Sequence, residues 1–202
     1  MKALIVVDIQ NDFLPDGTLP VQHGDEVIFV ANRIMEGFDL VVGTQDWHPS
    51  DHGSFASRYP GKQPGDQIEL AGLSQILWPP HCIQGSHGAD FPAELDSRRF
   101  ARVFRKGTDP EIDSYSGFYD NGRRKSTGLA EYLREQGITE NYILGLATDY
   151  CVKFTALDSV RERFSTHVLV EGCRGVELHT GDIDRALDEM RNAGVWIQER
   201  LG

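Results

Sequence analysis

Short apolar runs rich in β-branched residues recur along the chain, alternating with stretches in which apolar residues return every three or four positions. The first pattern is that of strands buried on both faces and the second that of amphipathic helices, so their alternation predicts a parallel sheet covered by helices. Strands are expected over residues 2–8, 40–46, 101–106, 142–146, 168–171 and a short 195–198. Helices are expected over 25–35, 128–136, 149–163 and 182–193; the last two open with Asp in the first turn, where a carboxylate suits the positive end of a helix. The fold class is α/β: a single doubly wound, mainly parallel six-stranded sheet with helices on both faces, with residues 1–202 in one domain.

The alternation breaks between residues 47 and 99, where Gly, Pro, His and Ser are frequent and only short helical pieces fit. Structureless stretches of that length in a compact domain are usually functional. This one holds His48, His52, His81 and His87, four of the seven histidines. In open parallel sheets ligands bind beyond the carboxyl ends of the strands, so the residues expected there matter most. They are Asp8, Asp46, Lys106 and, in the first turn after Gly145-Leu146-Ala147, Cys151.

A net charge of −11 disfavours nucleic acid and anionic membrane surfaces, which are gripped by Lys and Arg. The apolar run of residues 3–7 is cut by Asp8 and is too short for a signal-peptide core or a membrane span, so the expected location is the cytoplasm. Three cysteines suit reduced thiols there, and Cys82 and Cys173 lack the helix-start setting of Cys151.

Proximity to a helix N-terminus and to Lys106 should lower the pKa of Cys151 and favour the thiolate. Asp8 could take the thiol proton and return it to a departing amine, with Lys106 stabilising both anions. Taken singly, each has a plain structural alternative: a small buried hydrophobe, a loop cap and a surface charge. A second group is Asp46-Trp47-His48, whose alternate side chains can point the same way and share one cation, with a histidine from the long loop completing the site. Mixed carboxylate and imidazole donors suit Zn, Fe(II) or Mn; the alternative is a turn cap with surface histidines. The turn after the first strand carries carboxylates where a dinucleotide fold needs glycines, and neither a G-x-x-x-x-G-K-[ST] loop nor a G-x-S-x-G elbow occurs.

Six stretches together resemble one family in their order and spacing. They are Asp8-Ile9-Gln10-Asn11-Asp12-Phe13, Thr44-Gln45-Asp46-Trp47-His48-Pro49, Leu77-Trp78-Pro79-Pro80-His81-Cys82, Lys106-Gly107, Asp113-Ser114-Tyr115-Ser116-Gly117-Phe118 and Gly145-Leu146-Ala147-Thr148-Asp149-Tyr150-Cys151-Val152. The chain resembles the nicotinamidases, or pyrazinamidases, within the isochorismatase-like cysteine hydrolases. The resemblance implies a three-layer sandwich and the catalytic triad Asp8, Lys106 and Cys151. It also implies metal ligands Asp46, His48 and His81 for one divalent ion, zinc first, with iron or manganese as alternatives. The oxyanion hole would be the N–H groups of Ala147 and Cys151, arranged by a cis peptide between Leu146 and Ala147. Phe13, Trp78, Tyr115 and Tyr150 would line the pocket. Some shorter relatives use a further histidine after the Asp-x-His pair; His52 stands near that place but closer to His48, and is left out of the set.

The implied reaction is hydrolysis of nicotinamide to nicotinate and ammonia through a Cys151 thioester, with pyrazinamide as a second substrate. Rival readings are another amidohydrolase of the superfamily, acting on a carbamoyl or ureido substrate, and an inactive metal-binding or ligand-binding homologue. The sequence leaves open whether the chain is a monomer or a homo-oligomer.

Overall fold

A computed structural model describes residues 1–201. Six strands, β1 (Lys2–Val7), β2 (Leu40–Asp46), β5 (Arg102–Lys106), β6 (Glu140–Leu146), β7 (Ser165–Arg174) and β8 (Trp196–Gln198), form one sheet in the order β5-β2-β1-β6-β7-β8. Every neighbouring pair in it is parallel. β1 is central, and Ala3 through Val7 are fully buried, which is why its sequence reads as a continuous apolar run rather than an alternating one.

The helices α1 (Glu26–Met35), α2 (Leu129–Glu135), α3 (Lys153–Arg161) and α4 (Asp182–Asn192) make the crossovers. From β1 the chain winds through α1 to β2 on one side; from β6 it winds through α3 to β7 and through α4 to β8 on the other. With right-handed crossovers, opposite winding directions put α1 and α3 on opposite faces of the sheet. The winding reverses between β1 and β6, and a crevice opens there beyond the carboxyl ends of the strands. Asp8 and Cys151 follow those two strands.

The sheet matches the expected architecture, and the differences are local. β1 stops at Val7, because Asp8 turns into the left-handed region at φ 46°. β7 runs from 165 to 174 rather than 168 to 171, with a register break opposite Ile143 and Gly145. The helix expected over 149–163 opens as a separate π-helical turn, Thr148–Val152, before α3 begins, so Cys151 sits in that turn. The long segment contains an unexpected antiparallel hairpin, β3 (Gln67–Leu70) and β4 (Leu73–Ile76). Its two-residue loop, Ala71-Gly72, has positive φ at both positions, the geometry of a type I′ turn, but Ala at the first of them hides the usual sequence signal. Among the described residues no helix is long and apolar enough to cross a membrane.

Gly145, at the switch point, has φ 130°, and a β-carbon there would lie 2.1 Å from the Val7 carbonyl oxygen. Gly145→Ala is therefore expected to cost several times the roughly 1–2 kcal/mol of a left-handed non-glycine residue. Gly128→Ala should cost about that smaller amount, since φ is also positive but nothing lies within 4 Å. Denaturant unfolding of both variants checks this; equal losses would contradict it.

Candidate active site

Strand pairing sets Asp46 on β2 directly beside Lys106 on β5. Both are buried at the carboxyl edge of the sheet. The Lys106 ammonium is 2.6 Å from Asp46 Oδ1, 2.9 Å from the Ser114 carbonyl oxygen and 3.4 Å from Cys151 Sγ, so its three protons have three aligned acceptors. Asp8 Oδ2 lies 2.8 Å away as a fourth, ionic neighbour off the axis of a hydrogen bond, with no aligned donor of its own. Asp8 Oδ1 accepts a 2.6 Å hydrogen bond from the Thr44 hydroxyl. Asp8, Asp46 and Cys151 each present an acceptor atom within 4.8 Å of the other two.

Charge balance fixes the resting protonation. Burial opposes the Lys106 cation, yet Asp46, Asp8 and Cys151 together hold its pKa well above the usual value. Burial pushes the Cys151 thiol well up; Lys106 opposes this, while Asp8 and Asp46 reinforce it. This corrects the expectation of a lowered thiol pKa: the helix start and the lysine are present, but burial outweighs them, and the two carboxylates offset part of the ammonium's pull. Asp8 is raised to about 6, by burial first, against the pull of Lys106 and with repulsion from Asp46. A carboxylate of that basicity, whose Oδ2 is held only by its ionic contact with Lys106, can accept a thiol proton. Burial also raises the other two thiols, Cys173 to about 12 and Cys82 well above its usual value. Neither has an ammonium within hydrogen-bond reach.

On the far side of Asp46, one ligand atom each of Asp46, His48 and His81 lies within 4.8 Å of the others. His48 Nδ1 is 2.9 Å from the Gly107 carbonyl oxygen and His81 Nδ1 is 2.8 Å from that of Pro79, so each Nδ1 must carry a proton and donate it. That tautomer leaves Nε2 as a free lone pair on both rings, the form that binds metal. Burial lowers His48 to about 3 and His81 to about 4, keeping both neutral. His48 Nε2 stands 3.8 Å from Asp46 Oδ2, the oxygen that Lys106 leaves free. One carboxylate and two neutral imidazoles suit zinc, with the remaining positions open.

His52 is beside this set rather than in it. Its Nδ1 accepts from the Ser54 N–H at 3.2 Å, its ring centroid is 4.3 Å from that of His48, and its Nε2 is buried without a partner.

Between the two groups is a small pocket. Its floor is Asp46, His81, Ala147 and Cys151; Phe13, Trp78, Tyr115 and Tyr150 wall it, with Leu19 and Val176. The walls brace one another. Trp78 meets Tyr150 edge to face at 4.9 Å and donates its indole N–H to the Tyr115 hydroxyl at 3.1 Å. The Leu146–Ala147 peptide is cis.

Of the eleven residues singled out in the sequence, eight line this pocket, while Asp8, Lys106 and His48 are buried behind it, Lys106 touching Asp8, Asp46 and Cys151, and His48 facing Asp46. Several partners were not singled out. The Gln10 side chain both donates to the Asp46 carbonyl oxygen and accepts from its N–H, fixing the backbone of a residue that both groups share. Thr44 orients Asp8, Ser114 supplies a carbonyl to Lys106, and Leu19 and Val176 close the pocket. Gln10 and Thr44 sit inside quoted motif stretches two positions from Asp8 and Asp46, so a search for polar residues beside a reactive one would have found them, whereas Ser114 acts through a backbone carbonyl that its side chain does not signal. Leu19 and Val176 carry no such signal.

Comparison with known proteins gives a concordant picture. The Isochorismatase domain model matches residues 2–200. The nicotinamidase of Escherichia coli (strain K12) is 46% identical over 97% of this chain and 93% of its own length. The solved nicotinamidase pyrazinamidase of Acinetobacter baumanii superimposes with a TM-score of 0.94 at 46% identity, covering 97% of this chain and 94% of that one. The pyrazinamidase of Pyrococcus horikoshii in complex with zinc does so at 0.80 and 37% identity, covering 99% of each chain.

Because the Asp8 pKa is raised, this group contributes stability that is fully present below its unfolded value of 3.8 and lost as pH rises through about 6. Asp8→Asn is expected to unfold, free of metal at pH 7, at the same or a higher temperature than the parent, and to lose that advantage near pH 4. Scanning calorimetry at the two pH values checks it; a variant less stable at pH 7 than at pH 4, relative to the parent, would contradict it.

Proposed function

This chain belongs to the isochorismatase family, and we propose that within it the protein hydrolyses nicotinamide to nicotinate and ammonia, with Cys151 as nucleophile. The observation that carries the reading is the contact of one buried ammonium, Lys106, with Asp8, Asp46 and the Cys151 sulfur at the floor of an aromatic-walled pocket.

With the substrate carboxamide over Cys151, Asp8 takes the thiol proton and the sulfur attacks the amide carbon. The N–H groups of Ala147 and Cys151 receive the developing oxyanion. The C–N bond breaks as Asp8 returns the proton to nitrogen, and ammonia leaves a thioester. Asp8 then takes a proton from water, which attacks the thioester and releases nicotinate and the thiol. Lys106 keeps Asp8 and the sulfur within reach of each other and offsets whichever of them is anionic. Phe13, Trp78, Tyr115 and Tyr150 hold the flat ring and exclude water.

Asp46, His48 and His81 would hold one divalent ion, zinc by the donor set and by the Pyrococcus relative, and that ion would supply a Lewis-acid anchor for the ring nitrogen. Pyrazinamide, which carries a ring nitrogen at the same distance from its carboxamide, is a second substrate. The site would work in the cytoplasm, returning nicotinate to pyridine nucleotide synthesis. A carbamoyl or ureido substrate offers no ring nitrogen for the Asp46, His48 and His81 group to anchor, and an inactive chain would have no need of the Asp8, Lys106 and Cys151 cluster.

Zinc-loaded protein should release ammonia from nicotinamide, and Cys151→Ala should reduce the rate by at least about a thousandfold while the chain stays folded. Comparable turnover in the variant refutes the nucleophile. Chelation should raise KM far more than it slows alkylation of Cys151 by a small electrophile; a thiol silenced by chelation would contradict an anchoring metal.

A further inference from the structure

One wall of the pocket depends on a residue with no place in the chemistry above. Val176 and Leu19 are the aliphatic members of the lining, and Val176 comes from the loop that leaves β7. The start of that loop is pinned by one side chain, while Glu177 and Asp182 hold its later part at Gly181 and His179. Asp149 Oδ1 accepts the Val176 N–H at 3.0 Å, and Asp149 Oδ2 accepts the Glu177 N–H at 2.8 Å. Asp149 is buried and belongs to the same π-helical turn as Cys151, two residues before it.

The loop does not take this shape unaided. Glu177 is left-handed at φ 51°, a conformation that disfavours a non-glycine residue. Gly175 has no room for a β-carbon, which would lie 2.5 Å from Ile183 Cγ1 and 3.1 Å from Asp149 Oδ1. A carboxylate receiving two consecutive N–H groups is the clamp that makes the turn favourable, because hydrogen bonds to a charged acceptor are about twice as strong as neutral ones.

We propose that Asp149 is a positioning residue that fixes Val176 across the pocket and so sets which ring amides fit beside Cys151. The inference rests on the amidohydrolase reading. It deepens that reading by tying the turn that carries the nucleophile to the wall that selects the substrate. The substrate class it selects is a flat aromatic amide, for which Val176 is one side of the lining. Asp149 touches neither the reacting atoms nor the zinc donors, so its loss acts on binding and orientation more than on the chemical step.

The test is a double-mutant cycle on the zinc-loaded enzyme: parent, Asp149→Ala, Val176→Ala and the pair, with KM and kcat for nicotinamide and for a ring-methylated nicotinamide. Asp149→Asn serves as the milder variant, because its amide keeps one acceptor for one of the two N–H groups. Expected are a rise in KM of about tenfold in Asp149→Ala with kcat changed far less, and a smaller rise in Asp149→Asn. Asp149→Ala should add little further to KM when Val176 is already Ala, and both single alanine variants should narrow the preference for nicotinamide over its methylated analogue.

An unchanged KM in Asp149→Ala overturns the proposal, as does the same KM increase in both backgrounds or a loss confined to kcat. If Asp149→Ala does not fold, an Asp149→Asn enzyme with the parent's KM and ring preference overturns it equally. A parent enzyme that releases no ammonia from nicotinamide would instead overturn the function on which the inference rests.

Discussion

A single ammonium buried beneath a pocket governs this site. Lys106 is 2% exposed and cannot be solvated, so it stays charged only because Asp46 and Asp8 face it. The same confinement acts on everything around it. Burial above all holds a proton on Cys151 and lifts Asp8 to a basicity useful for removing it, with the neighbouring carboxylates reinforcing it and Lys106 opposing. The resting state is therefore a thiol beside a ready base rather than a preformed thiolate. In the proposed reaction Cys151 would become anionic only as its proton moves to Asp8.

Asp46 joins the two halves of the site. One of its oxygens faces Lys106 and the other faces His48, while Gln10 fixes its backbone from both sides. A cation bound at Asp46, His48 and His81 would thus be felt at Cys151 through one shared carboxylate, with no separate connecting element. The sheet makes this geometry cheap to hold. β1 and β6 meet where the winding reverses, β2 and β5 lie in register alongside, and four chain segments distant in sequence end at one edge.

Much of this was legible in the sequence because strands buried on both faces leave long apolar runs, and because the residues that end them are reactive ones. Asp8, Asp46, Lys106 and Cys151 could be read as one rim from that logic alone. Distances between segments could not, since spacing along the chain says nothing of which atom of Asp46 faces which partner. The thiol pKa was out of reach for the same reason: it follows first from burial and then from the charges around it, and Asp46 as a neighbour of Lys106 becomes visible only when β2 and β5 pair. The β3–β4 hairpin was missed because Ala71 occupies a turn position normally marked by Asn or Asp. Leu19 and Val176 were missed because an aliphatic side chain in a loop looks the same whether it fills a core or lines a pocket.

The central claim is that burial, reinforced by Asp8 and Asp46 against the pull of Lys106, holds Cys151 as a thiol. The most direct measurement is the pH dependence of alkylation at Cys151 in metal-free protein and in its Asp8→Asn variant. Removing one of the two carboxylates should move the inflection to lower pH. An inflection that stays in place or moves upward would contradict the account.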